Sequence, residues 1–231
     1  MTFELSADLG EGAPDEDALW PLLDAANVAC GGHTGDAESM KHAVVQAQQH
    51  NVILGAHPSY PDREHFGRRS MSIAPEALHA TLVQQLRALH ALSPLQRVKP
   101  HGALYNDAHH DAALAAIIID AMRAVDASLA IVAPADSQMA HAARTAGVPV
   151  IREAFADRRY NPDGSLVSRK EAGSLLTVEE SVAQVQLLLA EGVVVARDGT
   201  RVHVPYDTIC LHADLEGALQ RAVAIRQHGE R

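Results

Sequence analysis

Short apolar runs alternate along the chain with longer segments whose apolar residues recur every third or fourth position. The first pattern is typical of buried strands, and the second is typical of amphipathic helices. Strands are predicted at residues 3–8, 27–30, 52–57, 98–101, 129–133, 150–155 and 208–212. Helices are predicted at residues 36–50, 75–92, 111–125, 136–146, 177–190 and 215–228, and residues 193–195 form a minor apolar run.

This alternation gives about seven βα units, which predicts a parallel sheet with helices packed against it. The sheet is either closed as a barrel or open and doubly wound. No strand is followed by GxGxxG or a P-loop, so the usual marks of an open nucleotide-binding sheet are absent. We predict one α/β domain over residues 1–231, with functional loops in the long irregular stretches 58–74 and 157–173.

Polar side chains occupy one face of the predicted strands and gather towards the C-terminal strand ends. In VKPHGALYN, Lys99 and His101 are two residues apart and point the same way on a strand. Strand C-termini are where barrels and open α/β sheets place their chemistry. The residues predicted to converge there are Asp8, Glu11, Asn27, His33, His57, Lys99, His101, Glu153, Asp157, His212 and Asp214.

A single histidine or aspartate at a strand end is more often a structural group than a ligand. Here, however, four strands or their following turns end in histidine: His33, His57, His101 and His212. This collection favours one shared polar site, and the other histidines are expected on the surface.

Composition narrows the functional classes. Hydrophobic residues make up 47% of the 231 positions, and the net charge is −10 without a basic run, which argues against a nucleic-acid partner. The N-terminus does not read as a secretory signal, and no apolar run is long enough to span a membrane. Two cysteines, Cys30 and Cys210, do not form a disulfide framework, so a cytoplasmic location is expected.

Aspartate and histidine converging from separate strands suit a divalent metal such as zinc. Asp8, His33 and His57 are the predicted ligands, and the bound water would be acidified for hydrolysis. The same groups without metal form an acid–base cluster, with Asp8 or Glu11 as base and histidine as proton shuttle. Both alternatives are open at this point.

Three further features have two interpretations each. Lys99 either stabilises an oxyanion or forms a buried ion pair with Asp8 or Glu153. The pairs Arg68–Arg69 and Arg158–Arg159 either bind a carboxylate or phosphate, or are solvated. Cys30 is a conceivable nucleophile, but a small buried residue is the commoner explanation.

Seven segments carry a family pattern: SADLGEG, ANVACGGHTGD, GAHPSYPD, FGRR, VKPHGALYN, REAFADRRY and DTICLHAD. In this order, over nearly the whole chain, they resemble the LamB/YcsF family, which provides the first of three subunits of the bacterial ATP-dependent 5-oxoprolinase. The chain departs from the family at Gly32, where an aromatic residue is usual, at Ala213, and in a shorter segment at 13–17.

The resemblance implies a seven-stranded, TIM-like β/α barrel similar to glycoside hydrolase and deacetylase barrels. It implies cleavage of 5-oxo-L-proline to L-glutamate with ATP hydrolysis, together with partner subunits B and C, which are expected to contribute the nucleotide chemistry. The implied catalytic residues are Asp8, Glu11, Lys99 and His101. The implied substrate-binding residues are Asn27, His33, His57, Arg68, Asn106, Arg158, His212 and Asp214.

Two other functions are open. One is a metal-dependent deacetylase or amidohydrolase that acts alone, and the other is a non-catalytic ligand-binding protein of the same complex.

Overall fold

Seven parallel strands close into a barrel in the computed structural model, which describes residues 3–229. The strands follow one another around the barrel in chain order, and the last pairs with the first. In chain order the strands are β1 (Glu4–Leu9), β2 (Ala25–Ala29), β3 (Ile53–His57), β4 (Arg97–Val98), β5 (Ala130–Ala133), β6 (Val150–Phe155), β7 (Val193–Val195), β8 (Arg201–His203) and β9 (Thr208–His212). All except β7 and β8 belong to the barrel, and the predicted seven-stranded β/α barrel is confirmed.

Helices cover the outside of the barrel. They are α1 (Glu16–Leu19), a 3₁₀ turn (Trp20–Leu22), α2 (Ala37–His50), α3 (Pro75–His90), α4 (Gly102–His110), α5 (Ala112–Arg123), α6 (Gln138–Thr145), α7 (Val178–Glu191) and α8 (Ala218–Gly229). None of these helices, within residues 3–229, is long and apolar enough to cross a membrane.

Two helices begin at residues whose side chains act as N-caps. The Asp36 side chain accepts hydrogen bonds from the first turn of α2, and Thr177 forms a capping box with Glu180 at the start of α7. Each cap satisfies backbone amides that have no partner within the helix, so the sequence itself determines where these two helices begin.

Several element boundaries differ from the prediction. The strand predicted at 98–101 ends at Val98, and the helix predicted at 111–125 is preceded by the unpredicted α4. Gly102 begins α4 with φ +57°, and the amide of Ala103 donates to the Gly67 carbonyl, so a contact from a distant loop sets this helix start. The run 193–195 forms β7, in an unpredicted hairpin with β8.

The hydrophobic core lies between the sheet and the helices. Leu5 on β1, Leu82 on α3 and Ile118 on α5 are each buried in one apolar cluster. Because side chains alternate along a strand, the residues between these outward-facing positions point into the barrel. The outer faces of the strands therefore supply the apolar packing, and the inner faces are left for polar groups.

The barrel interior is polar from the N-terminal end upwards. Arg97 donates two hydrogen bonds to the carboxylate of Glu4, at 2.6 and 2.8 Å. One layer higher, the Thr208 hydroxyl donates to Ser6 at 2.9 Å. Gly55 leaves the room that the Arg97 side chain occupies, since a Cβ at this position would lie 2.5 Å from Cγ of Arg97.

We expect Gly55→Ala to lower the free energy of unfolding by about 1–3 kcal/mol, because overpacking forces neighbours to shift. Arg97 cannot withdraw without losing its paired hydrogen bonds to Glu4. Urea unfolding followed by circular dichroism measures this change, and Gly55→Val should lower the midpoint further. An unchanged midpoint in both variants would show that the Arg97 side chain does not fill the barrel axis.

Candidate active site

A cavity of about 820 Å³ opens at the C-terminal ends of the barrel strands. Its floor contains acids and bases from four strands and their following turns, and its walls include the loops 58–74 and 157–173 that were predicted to be functional. The predicted site residues that line it are Asp8, Glu11, His57, Arg68, Lys99, His101, Asn106, Glu153, Arg158, His212 and Asp214.

Lys99 is the central cation of the floor. Its Nζ lies 3.0 Å from both carboxylate oxygens of Asp8, 2.7 Å from Oε1 of Glu153 and 3.1 Å from Sγ of Cys210. The structure therefore shows the ion pair that the sequence left open for Lys99, and it involves both carboxylates. On the far side of Glu153, the Tyr105 hydroxyl donates to Oε2 at 2.7 Å.

The two carboxylates respond differently to this cation. Burial alone would raise the pKa of Asp8, but His57 and Lys99 outweigh it and hold that pKa well below its usual range. Burial raises the pKa of Glu153, and the pull of Lys99 only partly opposes it. Asn27 also donates to Oδ1 of Asp8, at 3.0 Å. Asp8 is therefore the more firmly ionised of the pair.

His57 and His101 face each other through one ring nitrogen each, and neither of these nitrogens carries hydrogen when both rings are neutral. Nδ1 of His57 lies 2.7 Å from the carbonyl oxygen of Lys99, and Nε2 of His101 lies 2.9 Å from the carbonyl oxygen of Phe66. A carbonyl oxygen only accepts, so both of these nitrogens carry hydrogen. Burial lowers the pKa of His57 to about 3, so its ring is neutral near pH 7. The remaining nitrogens, Nε2 of His57 and Nδ1 of His101, face each other at 3.0 Å.

Glu11 points its carboxylate at this pair of rings. Oε1 lies 3.3 Å from Nδ1 of His101 and 3.7 Å from Nε2 of His57. Nε2 of His33 donates to the same oxygen at 2.9 Å, and the His33 ring stacks on His101 with centroids 3.7 Å apart. Interactions with His101 and His33 lower the pKa of Glu11 although burial would raise it, so the carboxylate is ionised.

Glu11, His33 and His101 form a group that can hold a metal ion, with ligand atoms within 4.8 Å of one another. The predicted ligand set of Asp8, His33 and His57 shares only His33 with this group. Asp8 forms an ion pair with Lys99 and lies 3.4 Å from Nε2 of His57, whereas Glu11 lies 3.3 Å from Nδ1 of His101. His57 remains adjacent, through its contact with His101.

Asn27 and His33, predicted to bind substrate, are not among the residues that line the cavity. Each is buried behind it and donates to a carboxylate, Asn27 to Asp8 and His33 to Glu11. Cys30 is also buried away from the cavity, and burial raises the pKa of its thiol to about 12. The thiol is therefore protonated, which fits the structural interpretation of Cys30.

Phe66 is a site residue that the sequence analysis did not identify. Its carbonyl fixes His101, and its ring contacts His33 edge-on with centroids 5.1 Å apart. The following Gly67 has φ +62°, and a Cβ there would lie 2.9 Å from the His33 Cβ. The FGRR motif was the available signal, but it was interpreted only through its arginines.

Gly32 faces an occupied space. A Cβ at this position would lie 2.3 Å from both Oε1 of Gln85 and Oγ of Ser59. Gln85 uses this room to bond both the amide and the carbonyl of Ser59, each at 2.9 Å. The loop that follows β3 is thereby held in place from behind.

The cavity mouth carries cations from two loops. Arg68 and Arg169 both pair with the carboxylate of Asp214, and Arg158 lies deeper, with Nη2 donating to the Val167 carbonyl at 2.7 Å. Burial lowers the pKa of Arg158 to about 10, so it is still charged near pH 7.

Two further residues named in the sequence analysis have separate positions. Arg159 points away from the cavity and pairs with Glu180. Asn106 lines the cavity and donates to the Gly102 carbonyl. The second predicted arginine pair therefore contributes Arg158 to the cavity, and its other member, Arg159, forms an ion pair with α7.

Asp157 positions His212 from beneath the cavity. Its carboxylate accepts from the backbone amide of His212 at 2.6 Å and lies 2.8 Å from its Nδ1. Burial alone would raise the pKa of Asp157, but these interactions outweigh it and lower the pKa from 3.8 to about 2.

The model of the LamB/YcsF family matches residues 3–231. The chain belongs to the LamB/YcsF family. The resemblance carried by the sequence motifs is therefore confirmed. A solved lactam utilization protein from Thermus thermophilus is similar to this LamB/YcsF chain, with 38% identity and a TM-score of 0.92 over 100% of this chain and 96% of that one.

A more distant solved structure, a putative cellobiose-phosphate cleavage protein from Enterococcus faecalis V583, is 11% identical with a TM-score of 0.56. The match covers 99% of this LamB/YcsF chain and 94% of the other. At this identity the likeness shows a shared fold.

We expect Asp157→Asn to reduce the free energy of unfolding by about 2 kcal/mol at pH 7, from the depressed carboxyl pKa. A depressed folded-state pKa stabilises above the unfolded value of 3.8 and loses this effect as pH falls towards about 2. Urea unfolding of both proteins between pH 7 and pH 3 measures the difference, which should be constant at higher pH and shrink below about pH 4. A difference that grows on acidification would contradict the assignment.

Proposed function

We propose that this chain is the lactam-hydrolysing component of an ATP-dependent 5-oxoprolinase, cleaving 5-oxo-L-proline to L-glutamate with two partner subunits, B and C. The observation that carries the proposal is the full-length similarity to a lactam utilization protein, joined to a cavity floor that holds Asp8, Glu11, Lys99 and His101 together. An ATP-dependent reaction of this kind belongs in the cytoplasm.

The chemistry of the substrate accounts for the use of ATP. A γ-lactam is an unstrained, resonance-stabilised amide, so its carbonyl carbon is a poor electrophile. Phosphorylation of the lactam oxygen removes that resonance and supplies a good leaving group. Water then attacks the carbon, and the ring C–N bond breaks as the nitrogen takes a proton, which gives γ-glutamyl phosphate. A second water hydrolyses this acyl phosphate to glutamate and phosphate. No P-loop occurs in this chain, so the nucleotide chemistry is assigned to the partner subunits.

Water activation is assigned to the floor of the cavity. A water molecule that contacts Glu11, Asp8 and the bare nitrogens of His57 and His101 meets only acceptors, so its hydrogens are directed towards the floor and its lone pair towards the cavity. The proton that leaves this water passes to the same acceptors. Lys99 keeps Asp8 ionised throughout, because its ammonium contacts both carboxylate oxygens.

The anionic groups of the substrate are assigned to the arginines of the wall. Arg68 and Arg158 line the same cavity as the floor residues, Arg68 at its exposed mouth and Arg158 in a buried position. Guanidinium groups bind carboxylate and phosphate through paired hydrogen bonds. The cavity also has room for more than one small lactam, which fits a substrate that carries an added phosphoryl group.

A second candidate function is a metal-dependent amidohydrolase that acts without partners. The group formed by Glu11, His33 and His101 favours it, because a metal held there would acidify a bound water. The two candidates differ in what they require: the first needs ATP and subunits B and C, and the second needs a divalent metal alone.

We expect glutamate to be released from 5-oxoproline only when the chain is mixed with ATP and both partner subunits, and no ATP hydrolysis by the isolated chain. In this mixture, Asp8→Asn should lower kcat by about 10²- to 10⁴-fold, since it removes a charged group of the water-activating floor. Coupled detection of glutamate measures both effects.

The matched control is Asp120→Asn on the exposed side of α5, which should leave kcat unchanged. Glutamate release without ATP or partners would favour the metal-dependent amidohydrolase. ATP hydrolysis by the isolated chain would overturn the division of labour, and binding without turnover in the full mixture would indicate a non-catalytic, ligand-binding role.

We expect Arg68→Gln to raise KM for 5-oxoproline by about 10-fold or more with a smaller change in kcat, because a charge-assisted hydrogen bond is lost from binding. Steady-state kinetics in the full mixture measures the two constants separately. Arg123→Gln, at an exposed position on α5, is the control. An unchanged KM would remove Arg68 from substrate binding.

A further inference from the structure

At one point on the floor of the cavity, hydrogen-bond acceptors face one another with no donor between them. The carbonyls of Lys99 and Phe66 fix the hydrogens of His57 and His101 on their outer nitrogens. When both rings are neutral, the inner nitrogens then face each other as acceptors at 3.0 Å. Two facing lone pairs at hydrogen-bond distance repel unless something positive lies between them. Both side chains are more than nine-tenths buried, so bulk water does not relieve this repulsion.

The neighbouring carboxylates make a cation at this point still more favourable. Oε1 of Glu11 lies 3.3 Å from the inner nitrogen of His101, and Oδ2 of Asp8 lies 3.4 Å from that of His57. Lys99 neutralises Asp8 but is shared with Glu153, so two carboxylates already divide one ammonium. No lysine or arginine of the described residues forms an ion pair with Glu11. The charge missing from this centre is therefore positive.

The distances between the acceptor atoms match those between the ligands of a bound metal ion. A tetrahedral ion with ligands at about 2.0–2.1 Å separates neighbouring ligand atoms by roughly 3.3 Å. The three separations among Nε2 of His57, Nδ1 of His101 and Oε1 of Glu11 are 3.0, 3.3 and 3.7 Å. We propose that these three atoms bind one divalent transition metal ion of the zinc class, whose fourth position faces the cavity.

The groups behind the ligands have the arrangement that metal sites use. Ligating histidines donate their other ring N–H to a carbonyl or carboxylate, as His57 does to Lys99 and His101 does to Phe66. His33 already donates Nε2 to the Glu11 carboxylate, so in this ligand set His57 takes its place as ligand and His33 is the positioning residue. Two imidazoles and one carboxylate suit zinc or cobalt, whereas magnesium and calcium prefer oxygen ligands.

Metal uptake by the tag-free chain tests the proposal directly. The protein is dialysed against a chelator, returned to chelator-free buffer and titrated with Co²⁺, whose visible absorption reports nitrogen and oxygen ligands in a low-coordinate site. We expect saturation at one Co²⁺ per chain and its displacement by Zn²⁺, with the metal content confirmed by elemental analysis.

Variants identify the site. His57→Ala, His101→Ala and Glu11→Gln should each weaken Co²⁺ binding by at least about 100-fold, and His33→Ala by about 10- to 100-fold. Glu11→Gln keeps the shape of the side chain, so it remains informative where an alanine variant fails to fold, as judged by circular dichroism. His203→Ala and the double variant His109→Ala/His110→Ala change other histidines of the same cavity and should bind Co²⁺ normally.

Two results would overturn the proposal. One is metal binding that survives the floor variants but is lost when His109 and His110 are replaced, which would mark an adventitious surface site. The other is no uptake of Co²⁺ or Zn²⁺, with nitrogen-15 NMR showing a proton shared between His57 and His101. The inference does not rest on the proposed lactam substrate, because the readout is metal binding and no substrate is present.

Discussion

The site depends on one buried lysine that acts through both its side-chain ammonium and its backbone carbonyl. The ammonium of Lys99 neutralises Asp8 and Glu153, and its carbonyl fixes the hydrogen of His57 on Nδ1. Two carboxylates in a barrel interior are tolerable only when a cation satisfies them, since unpaired buried charge is strongly destabilising. The same residue therefore makes the polar interior stable and determines which nitrogen of His57 faces the cavity.

The period-two pattern of the strands made the barrel predictable. Outward residues such as Leu5 build the core, and inward residues such as Ser6 have polar partners. Seven segments with this alternation were therefore enough to predict most of the barrel. What could not be predicted was decided by distant contacts. The start of α4 depends on the Gly67 carbonyl, and the β7–β8 hairpin is a short addition outside the barrel.

The set of site residues was also visible in the sequence, because strand ends meet at one edge, but their individual directions were not. Glu11 lies beyond β1, in a turn where Gly10 and Gly12 have positive φ. The carboxylate of Glu16 accepts hydrogen bonds from the amides of residues 10–13 and holds that turn closed. This local arrangement brings Glu11 to the histidines, whereas the sequence analysis named Asp8 as the carboxylate ligand.

The missing positive charge connects the fold to the reaction. In the proposed hydrolysis, the attacking water releases a proton, and the neutral histidine nitrogens beside Glu11 and Asp8 are placed to receive it. The proposed transition state thus places a positive charge between the histidines, where the resting site has none. An interaction that forms only in the transition state lowers the activation barrier, whereas one that is equal in both states only binds substrate. A bound cation changes the order of events, because it would supply that charge in advance and acidify the water itself. In either case the affinity for a positive charge depends on the carbonyls of Lys99 and Phe66, which hold the histidine hydrogens away from the cavity.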